Sequence, residues 1–237
     1  MEVILESHQV TRSFGGVVAV NGLSMEVEGG SIVGIIGPNG SGKTTFMNVI
    51  SGLLKPDSGE IRFAGKVITR MKPYEIARLG IGRTFQTTRL FRDMTVLDNL
   101  LIPSLHESAS RTALVDRAED LLDFVGLAEL KDYFAGELSG GQQKLLEIAR
   151  ALMPDPSLLL MDEPLAGIHP ELKATILDHM RDLRSRGKTI TIVSHDIPSV
   201  MAICDKVVVL DSGRRIADGH PKEVVKDERV IEAYLGV

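Results

Sequence analysis

The sequence predicts an α/β fold: a mostly parallel sheet core, an antiparallel β-rich front piece and an inserted helical lobe. Three observations carry this. Short apolar runs (SIVGII, LLLMDE, TITIV, VVVL) alternate with helical periodicity, the pattern of buried parallel strands covered on both faces. Residues 2–33 instead show the two-residue alternation of one-sided sheet. Between Thr95 and about Leu152, helical spacing dominates.

Taken in order, Leu23, Met25 and Val27 alternate with polar neighbours until Gly29-Gly30 turns the chain. SIVGII is a buried strand that runs straight into a glycine loop and then a short helix, KTTFMNVIS, ended at Gly52. GEIRFAGKVIT reads as a hairpin turning near Gly65, and IGRTFQ as a further short strand. Leu114, Val115, Ala118, Leu121, Leu122 and Val125 recur at three- and four-residue steps, the spacing of a core-facing helix. Pro154 and Pro156 stop the last helix of the lobe. The alternation then resumes: strand LLLMDE, a helix over Glu171–Ser185 ended by Gly187, strand TITIV, a helix near Ser199, strand VVVL. We expect one domain over 1–237, with 1–88 and 153–237 forming the α/β core and its β piece, and 89–152 the helical lobe.

Composition narrows the class. With 43% hydrophobic and 25% charged residues over 237 positions, the chain buries a substantial core. A net charge of −5 argues against a protein that coats nucleic acid, and no nucleic-acid partner is expected. No apolar run approaches the roughly 18–20 residues that cross a bilayer. The opening MEVILESHQV lacks a basic region followed by an apolar block, so a cytoplasmic location is expected. The single cysteine, Cys204, lies among apolar residues and is expected to be buried and inert.

Chemistry concentrates in three places. Gly37-Pro38-Asn39-Gly40-Ser41-Gly42-Lys43-Thr44, followed by Thr45, fits the phosphate-loop pattern in full: glycines free backbone N–H groups for phosphates, Lys43 supplies positive charge, and the Thr44 hydroxyl suits Mg²⁺. Asp162 and Glu163 end an apolar strand. Ligands of a parallel sheet sit beyond the carboxyl ends of its strands, so Asp162 is placed to hold Mg²⁺ and Glu163 to polarise an attacking water. The third place is LSGGQ. With no strand before it and no Gly-Lys-Ser/Thr after it, it is not a second phosphate loop. Ser139 is a good N-cap, while Gly140 and Gly141 let something approach the helix start closely. The residues leave open an ordinary capped helix with Leu145, Ile148, Ala149 and Leu152 in the core.

These motifs, in this order and spacing, make the chain similar to the ATP-binding cassette ATPases, the nucleotide-binding subunits of ABC transporters. The resemblance covers almost the whole chain and implies a P-loop NTPase (RecA-like) core. It implies a head-to-tail dimer in which Ser139, Gly140, Gly141 and Gln142 bind the γ-phosphate of ATP held by the facing subunit. It further implies that Gln86, in RTFQ, links Mg²⁺ and attacking water to the membrane subunits, that His195 contacts the γ-phosphate, and that Phe14 stacks on adenine. Read alone, Gln86 is a polar strand end, His195 a structural histidine and Phe14 a sheet-packing ring. One departure stands out: Leu165-Ala166-Gly167-Ile168-His169-Pro170 replaces the family's Ser-Ala-Leu-Asp type segment. His169 therefore takes the place of a coupling aspartate without its permanent negative charge.

Within the family, GIGRTFQTTRLFRDMTVLDNLLIP and the ending GHPKEVVKDERVIEAYLG are similar to ATPases of branched-chain amino acid importers and their urea or amide relatives. The alternatives are the ATPase of a lipopolysaccharide exporter, a soluble cassette ATPase of DNA repair or translation, and a P-loop kinase or GTPase that has no use for LSGGQ. The importer resemblance implies transmembrane subunits, a second ATPase subunit (identical or related) and, indirectly, a periplasmic or extracellular solute-binding protein. It also implies a peripheral place on the cytoplasmic face of the membrane. Arg83, Arg89 and Arg92 around Gln86 are then expected to face the membrane partner, with Phe91, Met94 and Leu97 forming part of an apolar groove or, for Leu97, packing in the core. The C-terminal helix from Val230 to Leu235 reads as a docking element.

Overall fold

The computed structural model describes residues 2–235. Two long strands open the chain, β1 (Val3–Phe14) and β2 (Val17–Glu28), followed by β3 (Ile32–Ile36) and α1 (Lys43–Ile50). Next come β4 (Ser58–Phe63), β5 (Lys66–Val67), α2 (Pro73–Arg78) and β6 (Ile81–Arg83). The middle is helical, with α3 (Val96–Leu101), α4 (Arg111–Phe124) and α5 (Gly140–Leu152). The last third is β7 (Leu158–Asp162), α6 (Pro170–Ser185), β8 (Thr189–Val193), α7 (Ile197–Ile203), β9 (Lys206–Asp211), β10 (Arg214–Gly219), α8 (Pro221–Val224) and α9 (Glu228–Leu235).

Two sheets result. The front sheet has the order β2-β1-β4-β5 and is antiparallel. The core sheet has the order β10-β9-β3-β8-β7-β6, parallel throughout except for the edge strand β10. Period-two alternation sends the side chains of the core strands to opposite faces. Val33, Ile35, Leu158, Leu160, Val208 and Leu210 pack with α1 and the front sheet. Ile32, Ile36, Leu159, Met161, Ile190, Ile192, Val207 and Val209 pack with the helices of the other side. This two-sided burial is why the strands read as continuous apolar runs, and each large side chain so buried contributes about 1.5–3 kcal/mol.

Gly34 lies where the sheet and α7 approach closely: a Cβ there would stand 2.8 Å from Val200 and 3.1 Å from Cys204. Cys204 is 7% exposed, and burial, with Asp205 adding, pushes its thiol up to about 12, so it is protonated at neutral pH. α4 turns Leu114, Ala118 and Leu122 into the core, with Val115 and Leu121 only partly covered.

The short helices α2 and α8 have no counterpart among the expected elements, and two strands differ from expectation. The strand expected over IGRTFQ stops at Arg83, because only Ile81–Arg83 pair with β7 before the chain bends away at Gln86. The edge strand β10 has no counterpart in the expected elements. It is joined to β9 by a tight turn with positive φ at both central residues, Ser212 (47°) and Gly213 (77°), the geometry favoured in two-residue hairpins.

Candidate functional site

The loop between β3 and α1 is shaped by close backbone contact. A Cβ on Gly37 (φ +148°) would lie 2.0 Å from the Leu210 carbonyl oxygen, and one on Gly42 (φ +97°) 2.1 Å from that of Ala19. No other residue fits either position. The loop is stitched to its neighbours as well: Gly213 N–H donates to Ser41 O at 3.2 Å, and Asn21 N–H to Gly213 O at 2.8 Å. Pro38 is half-buried, Asn39 and Gly40 are exposed, Ser41 is buried and Thr45 lies partly covered in the first turn of α1.

Lys43 is 7% exposed and donates through Nζ to the carbonyl oxygens of Gly37 and Pro38, 2.8 Å each. Burial pulls its ammonium below the usual lysine range, while Glu163 and Asp162 oppose that shift. The Thr44 hydroxyl donates to Asp162 Oδ1 at 3.2 Å. Asp162, 1% exposed at the end of β7, is pushed above the usual carboxylate range by burial, against the pull of Arg83 and Thr44.

Glu163 follows immediately and holds φ at +49°, a left-handed conformation that costs a non-glycine residue about 1 kcal/mol or more. Its N–H donates to Val193 O at 2.8 Å, fixing the turn against β8. Its carboxylate Oε2 lies 2.8 Å from His195 Nδ1 and 3.4 Å from the His195 N–H. The His195 ring is otherwise largely exposed. Lys43, Thr44, Asp162, Glu163 and His195 thus gather at the carboxyl ends of β3, β7 and β8.

The remaining candidates stand apart. Phe14, at the end of β1 beside Val17, is 45% exposed with the Arg12 guanidinium 4.9 Å over its ring. Gln86 is exposed, and neither it nor Thr87 or Thr88 hydrogen-bonds to any described residue. Ser139 caps α5, accepting from Gln142 N–H at 3.3 Å while Gln142 Oε1 accepts from Ser139 N–H at 2.9 Å. Among the described residues no hydrogen bond joins Gln86 or 139–142 to the loop. Gly140 is open, with nothing within 4 Å of a Cβ, but one on Gly141 would lie 2.4 Å from Leu172 of α6, so packing within the chain already accounts for that glycine. His169 is the exposed N-cap of α6 and makes no side-chain cap.

Arg83 overturns its expectation. Its side chain is only 7% exposed and points inward: Nη2 donates to Asn48 Oδ1 at 2.8 Å and lies 3.5 Å from Asp162 Oδ2, while Nη1 donates to Met47 O and to Ser51. Leu97 is partly buried against the core, Met94 is half-exposed, and Phe91 is 49% exposed with Arg150 over its ring at 5.8 Å. A separate apolar groove of about 240 Å³ runs between α2, β6 and the end of α5, lined by Leu53, Ile76, Phe85, Pro103, Ala151 and Pro154.

Three further residues join the site without a sequence signal. Lys144 and Glu147 of α5, 5% and 1% exposed, form an ion pair of 2.9 Å. Lys144 Nζ also donates to Phe85 O at 2.8 Å, and Glu147 Oε1 accepts from Phe85 N–H at 3.0 Å. A buried ion pair alone gives little net stability, whereas leaving a buried peptide group unpaired costs about 1–3 kcal/mol, so satisfying both polar groups of Phe85 is what justifies these charges. The third is Tyr234 of α9: burial raises its phenol above the ordinary value, with the Gly37 backbone opposing and the Glu163 carboxylate adding to the rise.

The model of the ABC transporter family matches residues 20–166, and that of the branched-chain amino acid ATP-binding cassette transporter matches residues 214–237. The chain is 42% identical to the probable branched-chain amino acid transport ATP-binding protein LivG of Archaeoglobus fulgidus, covering 98% of this chain and 95% of that one. It is 39% identical to the high-affinity branched-chain amino acid transport ATP-binding protein BraF of Pseudomonas aeruginosa, covering 98% of each. Among solved structures, a nucleotide-free ATP-binding cassette from an ABC transporter superposes with TM-score 0.91 at 40% identity, covering all of both chains. A dimeric bacterial ABC transporter cassette superposes with TM-score 0.84 at 27% identity, covering 92% of this chain and 99% of that one.

Proposed function

Because this chain belongs to the ATP-binding cassette family of ABC transporters, we propose that it is the ATP-hydrolysing subunit that powers import of branched-chain amino acids or closely related small polar solutes. The observation that carries the reading is the gathering of Lys43, Thr44, Asp162, Glu163 and His195 at one end of the core sheet. The matched tail, 214–237, favours the amino acid importer over the lipid exporter.

In this reading the ATP phosphates replace the loop carbonyls as partners of Lys43 and meet the backbone N–H groups of 39–45. Phe14 offers a flat face to the adenine. Thr44 and Asp162, their oxygens 3.2 Å apart, are hard donors that suit Mg²⁺, and no group of three or more His, Cys, Asp or Glu able to hold a metal occurs among the described residues. These few oxygen donors, with Gln86 as a further one, fit a metal whose other ligands would come from the nucleotide and water. When bound, Mg²⁺ neutralises charge on the phosphates. Glu163 accepts a proton from water as the water oxygen attacks the γ-phosphorus and the bond to the β-phosphate oxygen breaks. His195 holds the Glu163 carboxylate in place and donates toward the γ-phosphate.

Ser139–Gln142 reach no phosphate of their own chain and serve the ATP of a facing subunit, which makes the active unit a dimer. Residues 89–152 act as the lobe that carries this helix start, with 1–88 and 153–237 as the core. Membrane subunits dock beside Gln86, on the cytoplasmic face, and a solute-binding protein supplies the cargo from the other side. No helix of the described residues is long and apolar enough to cross a membrane.

Sedimentation of purified Glu163→Gln tests this. ATP with Mg²⁺ is expected to convert monomer to dimer, because the variant binds but scarcely hydrolyses. A monomer that persists at saturating ATP would refute pairing between identical copies.

A further inference from the structure

We infer that the buried Lys144–Glu147 pair is a positioning device that makes the start of α5 and the emergence point of Gln86 one rigid piece, so that a chain senses its own ATP and its partner's ATP through the same body. The inference rests on the dimeric ATPase reading above. Its ground is a continuous run of short contacts. Lys144 and Glu147 grip both peptide groups of Phe85, at 2.8 and 3.0 Å, from a helix 59 or more residues away in sequence. The preceding residue, Thr84, donates its N–H to Leu160 O at 2.9 Å, so the gripped segment is also bonded to the strand that ends in Asp162. Arg83, one residue earlier, stacks on the Phe85 ring at 5.0 Å and reaches Asp162.

Downstream the segment is pinned again. Arg150, on the same helix, donates to Arg89 O, and the wholly buried Asn99 bonds the N–H and carbonyl of Phe91, 3.0 Å each. Between these pins, Gln86, Thr87 and Thr88 have no hydrogen bond to described residues and are left as a short bridge, exposed at Gln86 and Thr87 and half-buried at Thr88. The bridge moves only where its anchors allow. Its upstream anchor belongs to the helix whose first residues face the other subunit. Displacement of α5 by the partner's nucleotide is therefore delivered to Gln86 without an intervening flexible joint, as a rigid coupling requires.

The test compares wild type, Lys144→Met and Lys144→Arg as purified full-length chains, well below their melting transitions. Lys144→Met retains the stem but donates nothing, whereas Lys144→Arg can still bridge Phe85 O and Glu147. We expect Lys144→Met to lower kcat for ATP hydrolysis about tenfold with KM for ATP unchanged within about twofold, the mark of a misplaced group and not of weakened binding. Lys144→Arg is expected to keep at least about half of wild-type kcat on the same argument. A folded Lys144→Met with wild-type kcat would reduce the pair to a structural pin and overturn the inference. A wild type that binds and hydrolyses no ATP would instead overturn the functional reading beneath it. Should Lys144→Met fail to fold, amide hydrogen exchange decides on native residues: the Phe85 amide is expected to be protected relative to Gln86–Thr88, both in the nucleotide-free chain and in Glu163→Gln with ATP and Mg²⁺. Loss of that protection in either state would show that the two parts do not move together.

Discussion

Asp162 and Lys43 hold opposite charges, and burial disfavours both. The carboxyl of Asp162 sits above its ordinary value of 3.8 and the ammonium of Lys43 below 10.5, because burial makes each charge costly in the folded chain. The sign for Asp162 follows from proton counting. With the native pKa raised, the folded chain binds more protons than the unfolded one as pH climbs past the ordinary carboxylate value; stability falls through that window and stays lowered above the native pKa. Asp162→Asn is therefore expected to melt about 2 °C or more above wild type at neutral pH without nucleotide, with the advantage shrinking as pH falls toward the ordinary value. A lower melting point at neutral pH would mean that the 3.5 Å contact from Arg83 outweighs the burial cost. That Lys43, Asp162 and Glu163 would meet at one end of the core sheet was legible in the sequence, because each lies in a motif made of its immediate neighbours. Arg83 and Lys144 were not, because their partners are brought in by the fold: Lys144 meets Phe85 across 59 positions.

At the scale of the element, α5 separates two glycines that look equivalent in the sequence. Gly141 yields room to Leu172, a contact within the chain, while Gly140 faces open space and has no positive φ to explain it. Gly140→Ala should then stabilise the isolated chain by about 0.5 kcal/mol through helix propensity and unfolded-state entropy. The same substitution is expected to weaken ATP-driven dimerisation in the Glu163→Gln background, read by sedimentation. Stabilisation without loss of dimer would mean that nothing approaches Gly140. Strands and helices with strong periodicity, such as β3, β7, β8 and α6, were readable to within one residue at each end. The exceptions have physical causes. IGRTFQ continues apolar alternation beyond Arg83, but the chain leaves the sheet where Lys144 and Glu147 take over the peptide groups of Phe85. β10 is charged and partly exposed along an edge, so only its Ser-Gly turn offered a signal.

The whole molecule is three layers, with the front sheet and α1 on one face of the core sheet and the helices on the other. The parallel core sheet was evident from the alternation of runs, but the packing of a second sheet on one of its faces was not. What the sequence left unstated is how the layers meet at the loop, where strands from both sheets converge: Ala19 of β2 lies against Gly42, and the β9–β10 turn bonds to Ser41 and Asn21. That convergence divides the surface into places that accept foreign chain and places that do not. A short flexible reporter peptide inserted between Ser108 and Ala109, both exposed and without hydrogen bonds to described residues, is expected to leave ATP affinity within about twofold of wild type. The same peptide between Ser212 and Gly213 would prise two sheets apart at the nucleotide's edge and should abolish binding. For anyone labelling this cassette, the turn that looks like an ordinary surface hairpin is the one address to leave untouched.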